Sequence, residues 1–141
     1  MITALEYIAR STTISAGATQ TGVKWALADG EEGGPFGYQT YVLIANTSAS
    51  AGEARVTLVF EDGTTEVLPA PVALAANSRT NVAIGQMFSQ AQGRRFGVIV
   101  ESLGGTPAQI VVERAMYSNA VINGQTVVWA AGTNVVGTRL Q

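Results

Sequence analysis

The stretch "IVVERAMYS", Ile110 to Ser118, opens as a buried strand and then sets Glu113 and Arg114 side by side, and how those charges are placed fixes the architecture. Successive side chains of a strand point to opposite faces, so these two charges cannot pair with each other. Ile110, Val112, Arg114 and Met116 share one face, while Val111, Glu113, Ala115 and Tyr117 share the other. One charge therefore leans toward the core, where leaving it without a partner costs several kcal/mol. Glu101, near the end of "FGVIVES", joins the arrangement if that segment and "IVVERAMY" form an antiparallel pair. The expectation is a structural polar network of Glu101, Glu113 and Arg114 that fixes register. A carboxylate pair of Glu101 with Glu113, acting as acid and base on a glycoside, is the chemical alternative, and no spacing favours it.

Along the rest of the chain, apolar residues alternate or come in short runs punctuated by Gly, Asn, Asp and Ser, which is the pattern of an all-β chain. Strands are expected near Leu5 to Arg10, Val23 to Ala28, Gln39 to Asn46, Ala54 to Phe60, Thr64 to Val72, Arg79 to Ile84, Phe96 to Ser102, Gln109 to Tyr117, Gln125 to Ala131 and Val135 to Leu140. In "VTLVFEDGTTEVL", Asp62-Gly63 supplies the positive φ that a tight hairpin turn needs. Pro69 and Pro71 each remove a ladder donor, so the returning strand should loosen there and lie at an edge or change sheets. Only Ile84 to Gln92, closed by Gly93, supports a short helix. Many short strands with one helical turn predict an antiparallel β-sandwich in a single domain, with residues 1–22 as an opening strand segment and 23–141 as its body.

Composition narrows the chemistry. The 141 residues include neither Cys nor His, which removes disulfides, thiolate sites, Ser-His-Asp and Cys-His catalysis and the commonest zinc ligand. Ten acids against eight bases are too evenly matched for a nucleic-acid track, and Arg94-Arg95 is only a local basic spot. No apolar run approaches the ~18 residues of a membrane span, and Met1 to Arg10 lacks the basic start and apolar stretch of an export signal. A secreted parent would then make this chain a fragment, with Met1 an added start. Charged residues at 13% are well below the usual quarter, a balance associated with secreted or surface-layer proteins.

Several segments together are similar to the immunoglobulin-like β-sandwich domains repeated in large secreted or cell-surface bacterial proteins that carry a "VERAMY" signature. They are "WALADGE" (Trp25 to Glu31), "YQTYVLIANTSA" (Tyr38 to Ala49), "EDGTT" (Glu61 to Thr65), "ANSRTNV" (Ala76 to Val82), "FGVIVES" (Phe96 to Ser102), "IVVERAMY" (Ile110 to Tyr117) and "GTNVVGT" (Gly132 to Thr138). The resemblance implies a spacer, stalk or adhesive module without catalytic residues. Two departures stand out: Ser118 follows Tyr117 where an aromatic is common, and Met1 to Gly22 has no counterpart. "VKWALADG" and "VVWAAGTN" form a faint internal echo that would suit a tandem array.

Candidate sites follow from exposure and chemistry. Asp29, Glu31 and Glu32 in the glycine-rich loop "ADGEEGGPFG" offer oxygen ligands of the kind calcium takes, though without EF-hand spacing. Phe36, Tyr38 and Tyr41 are candidates for stacking on a sugar ring, with Phe36 and Tyr38 exposed by the loop. Trp25 and Trp129 lie in strands and are expected in the core. Lys24, the only lysine, lacks a serine motif for nucleophilic chemistry and is expected on an outer face. "NTS" at Asn46 to Ser48 fits a glycosylation acceptor and more simply marks a turn. The chain is thus expected to be a non-enzymatic structural module of a stalk, surface layer or filament, associating with copies of itself through strand edges. The alternative is an adhesive module that binds a glycan or uses calcium.

Overall fold

The computed structural model describes residues 17–141, and the expected strand at Leu5 to Arg10 lies outside them. The described residues form two antiparallel sheets and one four-residue helix, the all-β sandwich that the strand pattern implies. The strands are β1 (Lys24–Glu31), β2 (Gln39–Asn46), β3 (Gly52–Phe60), β4 (Thr65–Val67), β5 (Val72–Leu74), β6 (Ser78–Ala83), β7 (Arg95–Ser102), β8 (Ile110–Ile122), β9 (Gln125–Val136) and β10 (Thr138–Arg139), with α1 at Ile84–Met87. Sheet I runs β10-β1-β7-β3-β4, and β5 also pairs with β3; sheet II runs β6-β2-β8-β9.

The hairpin between β3 and β4 forms where Asp62-Gly63 places it. Only Gly63 needs positive φ, at 82°, and Asp62 accepts bonds from the Thr64 N–H and hydroxyl at 2.9 and 2.6 Å. The prolines act as breakers: the expected strand from Thr64 to Val72 divides into β4 and β5 around Pro69 and Pro71, and both pieces return to β3. At the other end of the chain the expectation is corrected in the opposite sense. Gln125 to Val136 is one strand, and its partner β8 runs five residues past Tyr117.

Alternation builds the core between the sheets. Trp25 and Leu27 of β1, Val56 and Leu58 of β3 and Val98 and Val100 of β7 meet Val42 and Ile44 of β2 and Ile110 and Val112 of β8, all buried. Burying each such side chain is worth roughly 1.5–3 kcal/mol, so this layer dominates stability. "FGVIVES" and "IVVERAMY" do not pair: β7 lies between β1 and β3 in sheet I, whereas β8 lies between β2 and β9 in sheet II. The connection from Leu103 to Gln109 carries the chain across the sandwich rather than around a hairpin.

Candidate functional site

The Glu-Arg dipeptide separates as strand alternation requires, but the three charges do not meet. Arg114 faces inward and is 5% exposed. Its guanidinium donates to Thr133 Oγ1 at 3.1 Å, and its Nε has no hydrogen-bond partner among the described residues. Burial pulls its pKa down, opposed by attraction to Asp29. Glu113, opposite Leu43, sits on the outer face of sheet II. Glu101 belongs to sheet I, opposite Lys24 and Arg55, and reaches Arg55 at 3.7 Å. That pair is solvent-exposed and contributes at most about 1 kcal/mol. The expected network is corrected on these grounds: the residues occupy different sheets and faces, and Glu101 and Arg114 each find a different local partner.

The glycine-rich loop also separates its acids. Glu31 pairs with Arg95 at 3.3 Å, Asp29 is exposed, and Glu32 turns inward. Among the described residues no three acidic side chains come together as a metal-holding group. Asn46 is buried and closes its own turn, donating to the carbonyls of Ser50 and Ala75 and accepting from the Ser48 N–H.

The aromatic residues do converge, and Trp129 is the correction that assembles them. It is not a core residue like Trp25, which is 2% exposed; it is 45% exposed on the outer face of sheet II. The cause is a bulge. Ser118 pairs with Ala131 and Ala120 with Val127, so Val128, Trp129 and Ala130 stand opposite Asn119 alone. Trp129 adopts φ 57°, a conformation that costs a bulky residue about 1–2 kcal/mol. Its backbone N–H donates to Asn119 Oδ1 at 3.1 Å, and its indole N–H donates to Gln39 Oε1 at 3.0 Å.

So held, the Trp129 ring stacks on Tyr117 with centroids 4.6 Å apart and planes 19° from parallel. Tyr41 meets both rings edge-on, at 6.0 and 6.1 Å. Gly132 is opposite Tyr117, and a methyl there would lie 2.9 Å from the Tyr117 ring, so the missing side chain is what lets that ring lie across the strand. Beside the three rings is a shallow depression of about 140 Å³ with Arg79 and Asn81 on its rim.

A second, polar cavity of about 280 Å³ adjoins this platform. Its wall includes Glu32, Tyr38, Gln39, Tyr41, Gln92 and Asn119. Tyr41 belongs to both hollows, while Gln39 and Asn119 line the cavity and also hold Trp129. Glu32 is 4% exposed. Its Oε1 accepts the Thr40 N–H at 2.7 Å, and the carboxylate also accepts the Gly85 N–H. Burial raises its pKa above the ordinary value, and the two backbone bonds only partly offset this. Of the expected sugar contacts, Tyr38 and Tyr41 reach the cavity wall; Phe36, 57% exposed, meets Tyr38 edge-on from outside it at 6.1 Å.

Sequence reasoning missed Tyr117, Gln39 and Asn119. A signal existed for Tyr117, which shares the solvent-facing parity of Glu113 and lies on a neighbouring strand to Tyr41.

No protein-family model and no curated protein sequence matches the chain. Solved structures do match its fold. The crystal structure of Thermotoga maritima 1070 is similar with a TM-score of 0.63 and 16% identity, covering 84% of this chain and 94% of that one. The Anabaena sensory rhodopsin transducer is similar with a TM-score of 0.53 and 19% identity, covering 72% and 90%. At such identities the likeness establishes a common β fold and nothing further.

Proposed function

We propose that this domain is a non-catalytic binding module that takes a carbohydrate on the outer face of sheet II. The observation that carries the reading is Trp129: a large aromatic held at positive φ by two polar anchors and turned out to solvent. Backbone strain of this kind persists where the surroundings enforce it, and it concentrates at ligand-binding positions. A sugar ring has an apolar face that stacks on an indole and a rim of hydroxyls that needs donors and acceptors. The first need is met by Trp129 over Tyr117, and the second by Arg79, Asn81 and the amides of the adjoining cavity. A pre-formed surface on paired strands keeps the ordering cost of binding low.

The test is titration of the intact chain with neutral oligosaccharides, followed by tryptophan fluorescence. Trp25 is buried, so the response reports on Trp129. A saturable change that disappears in Trp129→Asn supports the reading, and the absence of any response across a glycan array overturns it.

A second reading has its own observation. The tip of the β8–β9 hairpin extends past the last β2 pairing, at Gln39 with Tyr117, and carries exposed Val121 and Val128. A projecting apolar ribbon suits contact between copies of the domain. Val121→Lys should then reduce the association state measured by light scattering.

A further inference from the structure

Resting on the carbohydrate reading, we propose that the Glu32 cavity receives a ligand ammonium group, making this face selective for amino sugars over neutral or acidic ones. Glu32 is a buried acid on the wall of an open cavity, and among the described residues it forms no ion pair with Lys or Arg. A buried carboxylate normally has a cationic or metal partner. Its two backbone donors, from Thr40 and Gly85, occupy only part of an acceptor capacity of roughly four lone-pair sites. An ammonium supplies three donors and the missing charge together.

The remainder of the cavity fits such a group. Among the described residues no Lys or Arg lines it, so Glu32 sets the sign of the site and disfavours carboxylated or phosphorylated sugars. The rings of Tyr38 and Tyr41 offer cation–π attraction, and the amides of Gln39, Gln92 and Asn119 serve hydroxyls beside the amine. Three glycines give the cavity its shape. A methyl at Gly33 would strike the Gln92 amide, one at Gly37 the Asn119 amide, and one at Gly85 would overlap the Glu32 carboxylate. A volume of about 280 Å³ is near the lower end for small-ligand sites and suits one sugar residue rather than a chain. A metal ion fits less well, because calcium asks for six to eight oxygen ligands and a single acid among the described residues lines this cavity. The arrangement thus pairs two recognitions: the platform stacks a ring, and the cavity reads the substituent on it or on its neighbour.

The experiment compares glucosamine, N-acetylglucosamine and glucose oligomers of equal length by calorimetry, over a pH series from mildly acidic to neutral that spans both protonation of the glucosamine nitrogen and ionisation of Glu32. The expected result is at least tenfold tighter binding of the glucosamine oligomer. Glu32→Gln should abolish that preference while leaving the weaker neutral binding in place; Trp129→Asn should weaken all three ligands. Glu32→Asp, which keeps the charge but withdraws it by one methylene, should retain part of the preference if Gln at this position impairs folding. Equal affinity for all three oligomers in the native chain would overturn the amine assignment and leave the carbohydrate reading standing. No binding of any of them would remove both. A glucosamine preference that survives unchanged in a folded Glu32→Gln protein would place the amine elsewhere and also overturn the assignment.

Discussion

Trp129→Asn separates a residue retained for the surface from one retained for the core. Asparagine adopts positive φ more readily than an indole-bearing residue, so the change relieves about 1 kcal/mol of the strain at φ 57°. Against this stands the burial that the indole provides. With 45% exposure, slightly over half of the residue is covered, or roughly 100 Å² of the ~200 Å² that a fully buried tryptophan hides. At about 25 cal/mol per Å² this is ~2.5 kcal/mol, reduced to about 2 by a compact unfolded state. Removing the stack on Tyr117 adds about 1 kcal/mol. The balance is a net cost of about 2 kcal/mol, which lowers Tm by roughly 5–10 °C for a domain of this size. Trp25→Ala, deep in the core, should cost about 3–5 kcal/mol. Urea unfolding followed by circular dichroism measures both, and sugar titration on the same samples measures function. A destabilisation in Trp129→Asn as large as that in Trp25→Ala, or unchanged sugar affinity in the folded variant, would refute the reasoning.

Three further outcomes are expected. Glu32 has its pKa raised by burial, so above its ordinary value of 4.5 the folded state holds a proton that the unfolded state has released. Its contribution is therefore fully present below that pH and is lost as pH rises through the folded value. Urea stability measured against pH should lose this downward slope in Glu32→Gln, and parallel curves for the two proteins would contradict the burial argument. Arg114→Met, replacing a buried guanidinium whose hydrogen-bond partner among the described residues is the Thr133 hydroxyl and which only Asp29 attracts electrostatically, should change stability by less than about 1 kcal/mol or increase it, whereas Arg114→Ala should cost about 3 kcal/mol; a large destabilisation in the Met variant would show that the charge itself is needed. Gly132→Ala should tilt the Tyr117 ring and shift Trp129 fluorescence at a cost of about 1 kcal/mol, and an unaltered spectrum would show that the ring does not depend on the bare strand opposite it.

The sandwich is legible in the sequence because its signals are local. Alternating β-branched residues, Asp62-Gly63 and the two prolines each act within a few residues of themselves, and β3, β4 and β5 form where those signals fall. Strand partners are less legible. "FGVIVES" and "IVVERAMY" are consecutive, which favours pairing, yet the seven residues between them cross from one sheet to the other. The inward turn of Arg114 follows from parity alone, but its partner does not, since Thr133 comes from a strand whose register is set beyond the bulge. Unbroken period-two alternation would put Trp129 in the core. Three residues opposite one interrupt that alternation locally, where the left-handed backbone of Trp129 turns its side chain outward, and no local composition announces the interruption.

The bulge also explains why the two hollows act as one surface. Gln39 Oε1 accepts from both the Trp129 indole and the Tyr41 hydroxyl, at 3.0 and 3.2 Å, while Asn119 ties the Trp129 backbone to the cavity wall. A ligand that draws either amide toward itself must therefore loosen an anchor of the strained residue. Each anchor is an exposed hydrogen bond worth about 1 kcal/mol, comparable to the strain it opposes. Binding in the cavity and the orientation of the platform ring are consequently coupled by energies of similar size. Glucosamine alone, too small to span both hollows, should for that reason still perturb Trp129 fluorescence, and Gln39→Ala should uncouple the response from occupancy. If monosaccharide binding measured by calorimetry leaves the fluorescence untouched in the native chain, the two hollows are independent and the shared-anchor argument fails.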